Sequence, residues 1–371
     1  MGDLIGQSLG RYHILEQFGE GGMAIVYKAY DTRLERDVAV KIIRTERLTI
    51  ETMPTALKRF EREAKALGKL THPNIVPVSD YGEYEGKPYL VMPYLPSGTL
   101  KEKMGKPIPW QEAIQLLLPI AEALDYAHSQ NMIHRDVKPS NILLTQRGQP
   151  MLTDFGIAKI LDLEETQDLT GTSAAVGTPE YMAPEQATSK TVDHRADIYS
   201  LGIVLYEMVT GRKPYIADTP MAVLIKHATE PLPRPKQFVP NLPDGVEKVL
   251  LKALAKKPED RYQDMGEVVN AFEKLQRDGG RQSVIGTKPK EEKRAPGSTS
   301  ESKLPIRPNI KMIVFGLAVL ALLAVFGLPP LIKKSEPIPA AASTESLKAF
   351  TPIPATEMLT LAPTSTLSPI E

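Results

Sequence analysis

The chain has 371 residues, 42% hydrophobic and 24% charged, proportions that exclude a wholly disordered or collagen-like protein. Lysine plus arginine match aspartate plus glutamate at 45 each, so no overall charge favours nucleic acid as a partner, and none is expected. Without cysteine there are no disulfides, thiolate zinc sites or cysteine nucleophiles, and the 6 histidines include no pair at metal-ligand spacing.

In chain order, Met1 to Gly10 lacks the basic stretch and long apolar run of a signal peptide, and Gly6 fails the Ser/Thr requirement for myristoylation. The folded part is therefore expected on the side of any membrane where it is made. From Arg11 to about Arg277, β-rich runs alternate with helical periodicity, and at this size a single domain of two lobes is expected. Tyr12, Ile14 and Leu15 lead into Gly19-Glu20-Gly21-Gly22-Met23-Ala24, and Ile25-Val26-Tyr27 follows. Glycines let backbone amides approach phosphate oxygens with no Cβ in the way, although a glycine hairpin with no ligand reads the same. A strand follows the glycines, which argues against a dinucleotide fold. Next comes Val38-Ala39-Val40-Lys41, a strand ending in lysine.

Thr55 to Lys69 has helical periodicity, with Phe60, Glu63 and Leu67 on one face. A carboxylate on an apolar face needs a cation or donors. Lys41 is the candidate partner for Glu63; a partly exposed Glu63 is the alternative. Ile114 to Ala127 and Leu201 to Thr210 are apolar but too short to cross a bilayer, and read as core helices. Residues 278–310, rich in Gly, Lys, Pro, Ser and Glu, read as a flexible linker. Met312 to Ile332 carries no charge, enough to span a hydrocarbon core of ~30 Å, so one transmembrane helix is expected at 311–332. Residues 333–371, rich in Pro, Ser and Thr, are too polar to form a core and read as a disordered tail.

Three further segments carry the chemistry: Ile133-His134-Arg135-Asp136-Val137-Lys138-Pro139-Ser140-Asn141, then Asp154-Phe155-Gly156, then Ala183-Pro184-Glu185. Together with the glycine loop and Lys41, these ordered motifs resemble the protein kinase family over about Arg11 to Leu275. The glycine loop, the Phe60 to Ala66 segment and Gly177-Thr178-Pro179-Glu180-Tyr181-Met182-Ala183-Pro184-Glu185-Gln186 are most similar to bacterial membrane-anchored serine/threonine kinases.

The resemblance implies an α+β, bilobal fold: a β-rich N-lobe at about 11–95 and a larger helical C-lobe at about 96–277. It implies transfer of the γ-phosphate of ATP to serine or threonine of protein substrates, with Mg²⁺, or Mn²⁺ in its place. Lys41, held by Glu63, would grip the α- and β-phosphates. Asn141 and Asp154 would bind the metal. Asp136 would take the hydroxyl's proton, Lys138 would meet the γ-phosphate, and His134 is expected to pack rather than react. The nucleotide site would comprise Phe18, Gly19, Glu20, Gly21, Gly22, Met23, Ala24, Val26, Ala39 and Lys41, with Met92 as gatekeeper, Pro93 and Leu95 at the hinge, and Leu143 beneath the ring. Pro93 departs from the usual glutamate but keeps its carbonyl, and Leu95 keeps its N–H. Ala24 replaces the third loop glycine, as in related bacterial kinases.

The resemblance further implies that Asp197 braces the catalytic loop, that Arg261 pairs with Glu185, and that Thr178 supports Asp136. Arg135 would receive a phosphate on the activation segment, placed at Thr170 and Thr172, added by transfer between two copies in a transient dimer. No catalytic position is substituted, which speaks against a pseudokinase, and the tail carries no domain for external ligands. The expected location is an inner membrane, single-pass, with the lipid bilayer as a partner and the kinase domain in the cytoplasm.

Overall fold

A computed structural model of the protein describes residues 4–22, 24–45, 51–156, 178–188 and 192–285, with side chains of the last helix described through residue 279. Met23, Thr170, Thr172, the span at 311–332 and the tail at 333–371 lie outside the described residues, as does the linker beyond 285.

The N-terminal part is an antiparallel sheet with strand order β1-β2-β3-β4-β6-β5. Its strands are β1 (Ser8–Leu9), β2 (Tyr12–Glu20), β3 (Ala24–Asp31), β4 (Arg36–Ile43), β5 (Asp80–Tyr84) and β6 (Lys87–Pro93). The strand β1 and the buried Leu4 and Leu9 carry ordered structure upstream of Arg11. Alternation in β4 divides its side chains between two environments. Val38, Val40 and Ile42 enter a small core with Tyr12, Ile14, Tyr27 and Val91. Ala39 and Ile43 face the main core, which also holds Phe60 and Leu67. Lys41, at the intervening position, is thereby carried on the inner face.

Helix α1 (Met53–Leu67) begins with proline in its first turn and buries Ala56, Phe60, Ala64 and Leu67, one stripe at helical spacing. Below the sheet, α2 (Trp110–Ser129) buries eight apolar residues from Ala113 to Ala127 and tolerates Pro119 in its interior. A short hairpin of β7 (Ile142–Leu144) and β8 (Pro150–Leu152) follows. The remaining helices are α3 (Pro184–Thr188), α4 (Arg195–Thr210), α5 (Pro220–Thr229), α6 (Asp244–Ala253) and α7 (Met265–Ile285). Every residue of α4 from Ala196 to Thr210 is buried, so α4 is the central post of the helical lobe. The stretches Ile114 to Ala127 and Leu201 to Thr210 are both core helices, as their length required. One continuous core joins α1 and the inner sheet face to α2, α4, α6 and α7.

The linker begins later than composition suggested, because α7 runs on to Ile285. A Cβ on Gly279 would come within 2.5 Å of the Trp110 ring, so the glycine that reads as linker in sequence permits close packing of α7 on α2. Among the described residues no helix is long and apolar enough to cross a membrane.

Candidate active site

The glycine turn after β2 is closed by a hydrogen bond from the Gly21 N–H to the Ala24 carbonyl, 2.9 Å. Beneath it lies a cavity of about 540 Å³. Its walls bring together Gly19, Glu20, Gly21, Gly22, Ala24, Val26, Lys41, Met92, Asp136, Lys138, Asn141 and Asp154, residues drawn from the sheet and from the segments flanking β7 and β8. Thr178 lines the same cavity.

The catalytic loop is folded around a buried carboxylate at the start of α4. Asp197 accepts from the backbone N–H of His134 and of Arg135, both at 2.8 Å, and from His128 Nε2 at 2.8 Å. Burial pushes the Asp197 carboxyl up, but the hydrogen bonds from His128 and from the His134 backbone outweigh it and hold the group below its usual range. These bonds hold Arg135 at φ +62, a left-handed backbone costly for a long side chain. His134 is fully buried, donates from Nε2 to the Thr153 carbonyl at 2.9 Å and accepts at Nδ1 from the Asp136 N–H at 3.2 Å. Burial lowers its pKa, so it stays neutral, a packing and bracing residue.

Asp136 Oδ2 lies 2.8 Å from Lys138 Nζ and 3.0 Å from Asn141 Nδ2. Asn141 Nδ2 also donates to the Asp136 carbonyl at 2.8 Å, which commits its nitrogen and leaves its amide oxygen without a hydrogen bond among the described residues. Asp154 adopts φ +65. Thr153, one residue before it, directs its hydroxyl at the Met92 sulfur, 3.8 Å away, which ties Met92 to the Asp154 segment.

The expected pairing of Lys41 with Glu63 is not the one in the structure. Lys41 Nζ lies 2.7 Å from Asp154 Oδ1, and Glu63 pairs with its own neighbour Arg62 at 3.1 Å. Two carboxylates compete for one ammonium, and the position of α1 decides the winner. Glu63 is partly exposed, at 24%, and the cavity reaches back to Leu67, Ile75, Val76, Val78, Leu90 and Phe155. The walls of that cavity omit Phe18, Ala39, Pro93, Leu95 and Leu143. Phe18 is half exposed and packs edge-on against Tyr94 of the hinge, ring centroids 5.5 Å apart. Ala39 is buried in the main core, and Leu143 packs against that core from a bridge to Thr99. Among the described residues the Leu95 N–H has no acceptor, and it remains available at the hinge.

Two structural residues fall where sequence placed them. Arg261, buried, grips Glu185 through two bonds of 2.6 and 2.7 Å and donates its remaining N–H groups to the carbonyls of Ala255, Arg195 and Lys256. All five guanidinium hydrogens are thereby used. Gln186 escaped the sequence reading: it accepts from the Ala183 N–H at 2.9 Å and donates to the Arg135 carbonyl at 3.1 Å, stitching the segment after Thr178 to the catalytic loop. Its only signal in sequence is its place directly after Ala183-Pro184-Glu185.

The sequence matches the protein kinase domain over residues 12–272. The chain belongs to the protein kinase family. It is 42% identical over 265 residues to the serine/threonine-protein kinase PknB of Mycobacterium leprae, an alignment covering 70% of this chain and 42% of that protein. The chain spans about two fifths of the length of the curated relatives it matches. Among solved structures it superposes on the PknI kinase domain of Mycobacterium tuberculosis with a TM-score of 0.58 and 27% identity, covering 74% of this chain and 99% of that one. Rad53 1–466 in complex with AMP-PNP gives a TM-score of 0.58 at 25% identity over 70% of this chain and 64% of that one. Kinase-family membership accounts for the shared cavity of glycine turn, Lys41, Asp136, Asn141 and Asp154.

Proposed function

We propose that the protein is an ATP-dependent serine/threonine protein kinase, anchored in a membrane by the span at 311–332 with its kinase domain on the cytoplasmic side, and activated by phosphorylation of Thr170 and Thr172. The observation that carries the catalytic reading is the single cavity lined by the glycine turn, Lys41, Asp136, Lys138, Asn141 and Asp154. The names of the relatives support the choice of serine and threonine over tyrosine.

Phosphoryl transfer asks for positioning and charge neutralisation more than for covalent chemistry. Glycine-turn amides and Lys41 bind the phosphates of ATP, whose adenine meets the Pro93 carbonyl and the Leu95 N–H. Asp136 accepts the proton of the substrate hydroxyl as that oxygen bonds to the γ-phosphorus and the bond to the β-phosphate oxygen breaks, its electrons leaving with ADP. Lys138, 2.8 Å from Asp136, puts a positive charge beside the transferred group and the carboxylate together. The donor set suits Mg²⁺, a hard cation satisfied by one or two protein oxygens plus phosphates: Asp154 and the amide oxygen of Asn141 would hold it, and no larger acidic cluster exists among the described residues. When bound, Mg²⁺ would supply positive charge that offsets the charge of the phosphates. For transfer, Lys41 exchanges Asp154 for Glu63, which frees Asp154 for the cation.

The membrane reading rests on the uncharged run Met312 to Ile332, on the basic residues Lys293, Arg294, Lys303, Arg307 and Lys311 before it against Lys333, Lys334 and Lys348 after it, and on the need for ATP. Purified protein incubated with labelled ATP, Mg²⁺ and cell extract should label protein serine and threonine, and Asp136→Asn should not; equal labelling by both refutes the assignment. Protease added to intact cells should remove only the tail, and loss of the kinase domain would reverse the topology.

A further inference from the structure

We infer that Arg44 is a positioning residue for the nucleotide: it holds the glycine turn over the phosphate site through Glu20. This inference rests on the ATP-dependent reading above. Arg44 follows Ile43, which pairs in register with Ala24, and Glu20 pairs with Ile25 across the first step of β2–β3. The two residues thus stand on strands flanking the start of β3, and the Arg44 guanidinium reaches across it to Glu20 Oε1. The other carboxylate oxygen, Oε2, accepts from Gln17 Nε2 at 3.0 Å. Both oxygens of Glu20 are therefore engaged, one by Arg44 beyond β4 and one by Gln17 on its own strand.

Among the described residues the turn's other fastening is its own hydrogen bond from the Gly21 N–H to the Ala24 carbonyl. A Cβ added at Gly22 would meet nothing within 4 Å, and one at Gly21 would meet only the Ala24 carbonyl at 3.8 Å. On the hinge side, Phe18 is fixed against Tyr94 at 5.5 Å. The Glu20–Arg44 pair is the matching fastening on the side of β4, and Glu20 itself lines the cavity. Two physical effects follow. A turn of successive glycines loses much backbone freedom when it closes on a ligand, and a tether that already restricts it lowers that loss. Glu20 also brings a negative charge to the mouth of a site for a polyanion, and Arg44 offsets it.

The test is a double-mutant cycle in the full chain, read as KM for ATP, kcat, and the Kd of Mg²⁺·AMP-PNP by calorimetry. Arg44→Ala should raise KM and Kd roughly three- to fivefold, the range of an exposed ion pair, with kcat changed less than about twofold. Arg44→Lys should restore most of the affinity. In the Glu20→Ala background, Arg44→Ala should add nothing. Unchanged affinity in Arg44→Ala overturns the inference. So does an equal loss from Arg44→Ala with Glu20 present or absent, which would mean direct contact with the nucleotide. Wild-type protein that binds no Mg²⁺·AMP-PNP would instead overturn the ATP-dependent reading itself.

Discussion

Arg261 and Glu185, 76 residues apart in sequence, meet through two parallel hydrogen bonds of 2.6 and 2.7 Å with the guanidinium wholly buried. The pair joins α3, at the end of the activation segment, to the turn before α7. Removing one partner strands a charge in the core: Glu185→Ala should cost roughly 3 to 5 kcal/mol in urea unfolding. Replacing both with apolar residues, Glu185→Leu with Arg261→Met, should cost clearly less. A Glu185→Ala protein as stable as wild type would show that water reaches Arg261.

Asp136→Asn and Lys41→Met should each lower transfer by ~10²-fold to 10⁴-fold and leave the fold intact. Neither side chain supports the core: Lys41 is 15% exposed and Asp136 18%, both lining the cavity. Phosphate incorporation beside a thermal melt measures the two effects separately, and near-normal autophosphorylation by either variant is the contrary result.

His227 gives the domain a dependence on acid. Burial, with the nearby Lys256 ammonium, lowers its pKa from the ordinary 6.5 to about 4, although Glu180 pulls the other way. The unfolded chain therefore binds a proton here between about pH 6.5 and 4 that the folded chain refuses. The contribution is fully present above 6.5 and is lost as pH falls through about 4, on the order of 3 kcal/mol. His134, also buried and depressed, adds to the same slope. His227→Gln should flatten the fall of stability between pH 6.5 and 4, measured by urea midpoints at fixed ionic strength; an unchanged slope would assign it to other groups.

Thr170→Ala with Thr172→Ala should hold the enzyme at its unphosphorylated rate, since a phosphate near −1.5 to −2 charge makes ~1 to 3 charge-assisted bonds to arginine and orders the segment that carries it. The rate after exhaustive autophosphorylation, compared with wild type, is the measurement. A double variant as fast as phosphorylated wild type, or phosphates confined to residues 286–310, would refute this switch.

The sequence discloses those parts of the site that its ordered motifs share with the kinase family. Asp136, Lys138, Asn141 and Asp154 meet at one cavity, Asp197 braces the loop, and Arg261 takes Glu185, as that resemblance implied. The partner of Lys41 was not readable. Helical spacing puts Glu63 beside Phe60 and Leu67, but the choice between Glu63 and Asp154 depends on where α1 sits, a tertiary matter. The reach of α7 was hidden for a different reason: Gly279 looks like a linker until Trp110, 169 positions earlier, is seen against it. Gln186 and Arg44 act through contacts between elements that no periodicity records.

The burial of α4 on all sides has a consequence for how motion is distributed. An element with no face to water has no cheap local opening, so its amides should exchange hydrogen only when the whole lobe unfolds. Asp197 stands in the first turn of that helix and holds the amides of His134 and Arg135. The loop that carries Asp136 is therefore moored to a helix with no face to water. Among the described residues the glycine turn above it is fastened by its own Gly21-to-Ala24 hydrogen bond, an exposed ion pair and an edge-on ring contact, so the turn can move for nucleotide while the backbone that carries Asp136 stays still.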